Sequence, residues 1–388
     1  MEKQALPPSR SAWLKLSLFA ASILILNAVS GWWLAGRPVD SYFIRSNREA
    51  ENAAPWTADY YRDLIRRDPK FKAVDYVLWR QLPFRSAFLN VDENGLRATI
   101  NPPSAGTRRR PLIYVFGAST LWGFGVRDEN TIPSLLSKEL NAAGHPATVK
   151  NYGEWSYVSG QETAALLSEL ILNPERPDIV VFFDGVVDVE LKENFGREAG
   201  SFSTGFWSLG ADPFAMPSFA RFLLKFGERS AIYQAALRIS RAVSPPRPPR
   251  MPPMPPQDYG PTSGAIAVRY AASVRAAQAL GREFHFKPVF YWQPSIAQKR
   301  RLSPIELEDS PLASVNMDDR PLLLSVEAAV AKIMSGDPEF HDISGLFYDE
   351  PGTIYSDHEH YTEAANERIA RRMSPDIGRL LDSGRAGR

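Results

Sequence analysis

The chain has 388 residues, 44% of them hydrophobic and 23% charged. That balance excludes a mainly disordered protein and fits one large α/β domain with additions, or two domains. Lys plus Arg number 45 against 44 Asp plus Glu, a net charge of +1, and cysteine is absent; these exclude a nucleic-acid binder held by its phosphates, disulfides, thiolate metal sites and cysteine nucleophiles.

Lys3, Arg10 and Lys15 precede an uncharged stretch from Leu16 to Ala35, LSLFAASILILNAVSGWWLA. Twenty residues at about 1.5 Å each cover a hydrocarbon layer of roughly 30 Å. Trp32 and Trp33 read as an interfacial belt. The positive flank predicts a cytoplasmic tail at 1–15 and a transmembrane anchor at 16–36. Everything after Arg37 then lies outside the cytoplasm, on the periplasmic side of a cell with two membranes. The alternative is a cleaved signal peptide, with apolar residues to Leu26 and small residues at Ala28-Val29-Ser30. Residues 37–84 mix polar side chains with Tyr42, Trp56, Tyr60 and Tyr61, and read as a juxtamembrane stalk or a short helical subdomain.

Beyond Pro111 strands and helices alternate. Leu112 to Phe116 is a wholly apolar run ending at glycine, as a buried strand requires. Thr131 to Ala143 spaces Ile132, Leu135, Leu136 and Leu140 as a helix does, and Gly144 closes it. Val149 to Asn151 predicts a short strand, Gln161 to Leu172 an amphipathic helix, and Ile179 to Phe183 a second buried strand. This alternation implies a parallel sheet covered by helices on both faces.

Residues 190–262 read as an insertion. Its middle holds Phe206, Trp207, Phe214, Phe219, Phe222, Leu223 and Phe226, with Arg221, Lys225 and Arg229 between them. A small subdomain core fits this pattern, as does a basic amphipathic surface on the membrane or a lid. Nine prolines fall between Pro245 and Pro261, which favours an extended spacer, the alternative being a docking segment for a protein partner. Regular structure resumes with a helix from Ala265 to Leu280, a strand from Pro288 to Trp292, a helix from Leu322 to Met334 and a short strand from Phe340 to Ile343. Thr362 is placed to cap a last helix whose inner face is Ala365, Ile369, Ala370 and Met373.

Chemistry collects at two places. Ser119 stands just past the first buried strand, where open α/β sheets gather ligands. Asp357 and His360 are three residues apart ahead of the last helix. A serine nucleophile needs a base within hydrogen-bond reach, and the base needs a carboxylate to fix its tautomer. His358 and His360 alternate with Asp357 and Glu359, so a His-x-His metal pair is one reading of this segment and an exposed His358 is the other. Asp184 and Asp188 read as loop anchors that accept backbone hydrogen bonds, the alternative being a cation-binding or catalytic role, and His145, His285 and His341 read as structural. Arg97, after Asn94-Gly95, is a candidate for a place near the pocket, with no role assigned by the sequence.

Four blocks together resemble the SGNH (GDSL-like) hydrolases. Phe116-Gly117-Ala118-Ser119-Thr120, with Gly123 and Gly125, is similar to the first block. Asn151-Tyr152-Gly153 resembles the second, Asp184-Gly185-Val186-Val187-Asp188 lies where the third belongs, and Asp357-His358-Glu359-His360 matches the last. Tyr291-Trp292-Gln293-Pro294 is similar to a strand end of membrane-anchored members. The resemblance implies a flavodoxin-like three-layer α/β/α domain with a parallel sheet at residues 85–375, interrupted by the insertion. It implies Ser119 as nucleophile, His360 as base, Asp357 as its orienter, and the amides of Ser119 and Gly153 as the oxyanion hole, without metal or cofactor.

Val187 replaces the third-block asparagine, whose side chain donates to the oxyanion in the family. Losing one such donor typically costs about 100- to 1,000-fold. Three readings follow: a slow enzyme, another group supplying the donor, or a binding module without catalysis. The sequence therefore points to a membrane-anchored serine esterase acting on O-acyl esters, O-acetyl above all, of an extracytoplasmic polysaccharide or glycan. An O-acyltransferase and a non-catalytic glycan- or partner-binding module are the alternatives.

Overall fold

The computed structural model describes residues 21–30, 50–51, 54–67, 70–103, 109–189, 259–308 and 311–386. The chain divides into two units, Met1–Val39 with Ser203–Pro252, and Asp40–Phe202 with Pro253–Arg388. In the first unit the described part is residues 21–30, a helix that exposes Ile23, Leu24, Ile25, Leu26 and Val29. Among the described residues no helix is long and apolar enough to cross a membrane. The rest of the expected anchor lies outside the described residues, as does the insertion and its proline run up to residue 258.

The second unit is built on five parallel strands: β3 (Leu112–Gly117), β4 (Thr148–Asn151), β5 (Ile179–Asp184), β6 (Lys287–Trp292) and β7 (Phe340–Asp342). Their spatial order is β4-β3-β5-β6-β7. Counting only these strands, that is 2-1-3-4-5, the flavodoxin-like doubly wound order. Every residue of β3 and β5 is buried, as a strand covered on both faces must be.

Alternate side chains serve opposite cores. Tyr114, Phe116, Phe182 and Phe290 face one layer, formed by α4 (Ser159–Leu172), α5 (Gly260–Phe284) and α7 (Pro311–Ile333). Ile113, Val115, Val181, Phe183 and Val289 face the other, formed by α3 (Ile132–Ala142) and α8 (Glu363–Ala386). Each such aromatic or branched side chain contributes on the order of 1.5–3 kcal/mol relative to exposure. Thr131 caps α3, its hydroxyl accepting from the Ser134 amide at 3.4 Å. Thr362 caps α8 through the Ala365 amide at 3.3 Å. Ala365, Ile369, Ala370 and Met373 are fully buried, so the expected inner face is the observed one.

Three boundaries differ from the sequence expectation. The helix expected at 265–280 spans Gly260–Phe284, the one expected at 322–334 spans Pro311–Ile333, and the last helix continues beyond residue 375 to Ala386. Periodicity marks the buried middle of a helix more sharply than its ends.

The segment expected as a juxtamembrane stalk or a short helical subdomain takes regular structure where it is described. It forms α1 (Trp56–Arg66) and the antiparallel hairpin β1 (Phe71–Val74) and β2 (Leu78–Gln81). Tyr60, Tyr61 and Leu64 of α1 share a buried cluster with Trp122. The Gln81 amide donates to buried Glu154 at 3.1 Å. Apolar side chains at helical spacing need a partner surface, and this segment finds it beside the turn that follows β3.

Candidate active site

β3 ends at Gly117, Ala118 is extended, and α2 (Ser119–Trp122) is a single helical turn. Its first N–H groups have no acceptor within the turn. Gly123 closes it at a φ of 94°, and a Cβ there would lie 2.5 Å from the Thr131 side chain. The loop that follows is fixed from beneath. Buried Arg97 pairs with Asp128 at 2.5 Å, donates to the Gly123 and Val126 carbonyls at 3.0 and 2.9 Å, and lies 4.4 Å over the Trp122 ring. The Tyr60 hydroxyl accepts from the Gly125 amide at 3.0 Å. Arg97 is thus a positioning residue for this loop. Thr120 Oγ1 donates to Gln293 Oε1 at 3.0 Å, and the Gln293 amide donates to the Asp184 carbonyl at 2.8 Å. The ends of β3, β5 and β6 are tied together at this edge.

Asp357 and His360 occupy the loop before α8. Asp357 Oδ1 accepts the amides of Glu359 and His360 at 2.9 and 2.8 Å, an aspartate-capped turn. Its Oδ2 meets His360 Nδ1 at 2.7 Å, and His360 Nε2 meets Ser119 Oγ at 2.8 Å. Residues 241 positions apart are therefore in hydrogen-bond contact. All three side chains are buried, with residue exposures of 7%, 6% and 7% for Ser119, His360 and Asp357.

The approach to this loop is pinned by a second carboxylate. Glu306 Oε1 accepts the amides of Ile354 and Tyr355 at 2.9 and 3.1 Å. Its Oε2 accepts the Ser303 amide at 2.7 Å and pairs with Lys299, both side chains being fully buried. Tyr361, beside the histidine, donates to the Pro294 carbonyl at 2.6 Å.

Burial favours the neutral form of His360, but the Asp357 carboxylate and then the Glu359 carboxyl outweigh it. The imidazole is held above its ordinary value of 6.5. Burial also pushes Asp357 up, but the charge of His360 and its hydrogen bonds pull harder, so the carboxyl lies well below the usual carboxylate range. Asp357 is thus a permanent anion against a histidine that readily becomes a cation.

The oxyanion hole is expected from the amides of Ser119 and Gly153. The Ser119 amide opens the α2 turn. The Gly153 amide, expected as the second donor, is taken by Asn151 Oδ1 at 2.9 Å. Asn151 also donates to the Leu121 and Trp122 carbonyls. Gly153 is packed so closely that a Cβ would lie 2.5 Å from the Trp122 nitrogen. Three residues on, Ser156 adopts φ 58°, an uncommon conformation for a residue other than glycine. Trp155, beside it, packs 5.2 Å from Phe124, and Phe124 lies 4.6 Å from the His360 ring.

Val187 lies in the helical stretch 186–189 after β5, is 6% exposed and carries no donor. Asp188 accepts from the Ser159 amide and hydroxyl at 3.2 and 2.7 Å, an anchoring role as expected. Asp184 instead turns its carboxyl toward buried Glu162. Burial is the largest cause that raises both groups, and the charge of Asp188 raises Asp184 further.

Among the described residues no group of three or more His, Asp or Glu side chains is arranged to hold a metal ion. His358 is not the exposed loop residue expected. Its side chain is 14% exposed, and its ring nitrogens lie 3.9 Å from Asp357 and Glu359. His341 stacks on Tyr291 at 5.1 Å, and His285 ends α5 in the left-handed conformation. Glu306, Lys299 and Tyr60 had no signal in the sequence beyond their residue types. Glu359 stood inside the last block but gave no sign that it faces the histidine.

No family model matches the sequence, and neither does any curated protein. Solved structures to which the chain is similar include a G-D-S-L family lipolytic protein, acetylesterases and other esterases. A protein described as a lipolytic member of the G-D-S-L family from Desulfitobacterium hafniense is 11% identical, with a TM-score of 0.35, over 70% of this chain and 99% of that one. A carbohydrate acetylesterase family member from Sinorhizobium meliloti is 15% identical, with a TM-score of 0.35 and the same coverage. An acetyl xylan esterase, AlAXEase, is 14% identical, with a TM-score of 0.38, over 69% and 99%. Similarity of this size carries no functional argument; the contact between Ser119, His360 and Asp357 does.

Proposed function

We propose that the chain is a membrane-anchored serine esterase that removes O-acyl groups, acetyl in particular, from an extracytoplasmic polysaccharide or glycan. The observation that carries the chemistry is the continuous contact from Ser119 Oγ through His360 to Asp357, at 2.8 and 2.7 Å. Ser119 Oγ attacks the acyl carbonyl carbon while His360 Nε2 takes its proton. Asp357 holds the ring and stabilises the imidazolium. The tetrahedral intermediate collapses, the C–O bond to the alcohol breaks, and the imidazolium returns its proton to the leaving oxygen. Water then attacks the acyl-enzyme by the same route in reverse order.

The oxyanion takes a donor from the Ser119 amide, while the Gly153 amide is engaged by Asn151 Oδ1. Transfer to a sugar hydroxyl in place of water uses the same residues. A non-catalytic binding role is the reading favoured by Val187 and by the engaged Gly153 amide. The anchor reading rests on the uncharged segment Leu16 to Ala35 and its basic flank. The polymer substrate is the reading that suits a tethered enzyme.

A fluorophosphonate probe is expected to label the full-length protein and not Ser119→Ala, and the same substitution is expected to abolish turnover of 4-nitrophenyl acetate. An unlabelled parent would favour the binding module. In the parent, kcat/KM is expected to rise with pH through a midpoint above 6.5, because only neutral imidazole accepts the serine proton and His360 is held above that value. A midpoint at or below it would remove His360 as the base. Val187→Asn is expected to raise turnover toward the roughly 100- to 1,000-fold that one oxyanion donor is worth; an unchanged rate would mean the hole is already complete. The full chain is expected to stay with the membrane fraction after a carbonate wash, and its release into the supernatant would remove the anchor.

A further inference from the structure

Ser119 and His360 stand on separate segments, and their contact of 2.8 Å holds only while those segments keep their spacing. The loop after the nucleophile turn reaches Arg127, eight residues beyond Ser119, and α8 begins at Glu363, three residues beyond His360. These two residues meet. Arg127 Nε and Nη2 donate to Glu363 Oε1 and Oε2 at 2.9 and 2.6 Å, and the Arg127 backbone amide donates to the same Oε1 at 3.0 Å. One carboxylate thus holds both the guanidinium fork and the main chain of the nucleophile loop. Beside it, Asn366 Nδ2 donates to the Asn130 carbonyl at 3.0 Å.

An ion pair between exposed, flexible side chains contributes little, because ordering them offsets their attraction. Here both partners are ordered from other sides. The Arg127 and Glu363 side chains are 29% and 13% exposed. The guanidinium lies 5.1 Å over the Trp56 ring of α1 and pairs with Glu129 at 3.2 Å. The Glu363 amide, a donor at the helix start with no acceptor inside the helix, donates to Glu51 Oε1 at 2.7 Å. Two parallel bonds from a planar fork fix an angle as well as a distance. Such precision matters here, because a misplacement of about 1 Å between reacting groups can cost about 100-fold in rate.

We propose that Arg127 and Glu363 are positioning residues: their fork clasps the nucleophile loop to the start of α8 and sets the distance at which Ser119 meets His360. The pair acts through the two segments and not on the reacting atoms. This rests on the serine-esterase reading.

The test uses the full-length parent, Arg127→Ala, Arg127→Lys, Glu363→Gln and the double variant Arg127→Ala/Glu363→Gln. For each, kcat and KM on 4-nitrophenyl acetate, the rate constant for fluorophosphonate labelling of Ser119, the labelled fraction and Tm are measured. Arg127→Ala is expected to lower kcat and the labelling rate constant by about 10- to 100-fold and to leave KM within about threefold. Arg127→Lys, which keeps the charge and loses the fork, is expected to recover only part of the loss. The double variant is expected to lose no more than the worse single one, because both break one clasp. Arg371→Ala, which removes exposed pairs of the same helix with Glu367 and Glu139, is the control expected to stay within about twofold of the parent. If Arg127→Ala does not fold, Glu363→Gln decides alone, since it is nearly isosteric and keeps an acceptor for the Arg127 amide; a kcat equal to the parent's would then overturn the proposal. A lower Tm or labelled fraction with kcat and labelling rate constant per labelled molecule unchanged would also overturn it and leave the pair a structural contact. So would losses that add in the double variant. A parent that is neither labelled nor active would overturn the esterase reading and this proposal with it, whereas an active, labelled parent matched by its variants would overturn only the latter.

Discussion

The Asp357 carboxylate holds the site together because its two oxygens perform different tasks. One accepts two backbone amides and so shapes the turn that carries His360. The other bonds the imidazole and fixes which nitrogen faces Ser119. Turn geometry and ring orientation therefore cannot vary independently. The same group explains the electrostatics: a buried carboxylate held well below its ordinary range raises the affinity of the ring for a proton.

Orienting a histidine is useful only if the serine is held as firmly. The nucleophile turn is short and would be mobile in isolation. It is fixed by groups distant in sequence: Arg97 and Tyr60 under the loop after it, Asn151 beside it, and Gln293 across the sheet edge. On the other side, the buried Lys299–Glu306 pair holds the strand-like approach to Asp357. A buried ion pair is weak support for stability in general, because desolvation offsets attraction. Here Glu306 also accepts three backbone amides, which satisfies its remaining lone pairs and gives the pair a positional function. The segment before the sheet thus belongs to the site's foundation, since α1 supplies the hydroxyl that meets Gly125.

The site also carries a mismatch. The contact from Ser119 through His360 to Asp357 is continuous, whereas the third-block position holds valine and the Gly153 amide is turned to Asn151. The left-handed Ser156 lies in the loop that links these features to the aromatic flank of Trp155 and Phe124. Local strain of this type persists only where the surroundings over-determine it. Stabilisation of the oxyanion, more than activation of the serine, is where this chain departs from the pattern its motifs resemble.

The sequence by itself determined the alternation of buried strands and helices, the closeness of Asp357 to His360 and the face of the last helix. Burial on both faces leaves continuous apolar runs, a helix leaves a 3.6-residue stripe, and an aspartate three positions before a histidine can share a turn with it. These are local properties, written within a few residues of one another. Only the tertiary structure decided that a serine and a histidine 241 positions apart meet, that Arg97 and Glu306 are placed beneath them, that the Gly153 amide is already occupied, and that Glu359 faces Nε2 instead of solvent. Such contacts depend on how strands are ordered and how helices dock across them. Periodicity specifies which face of an element is buried and leaves open which element will cover it.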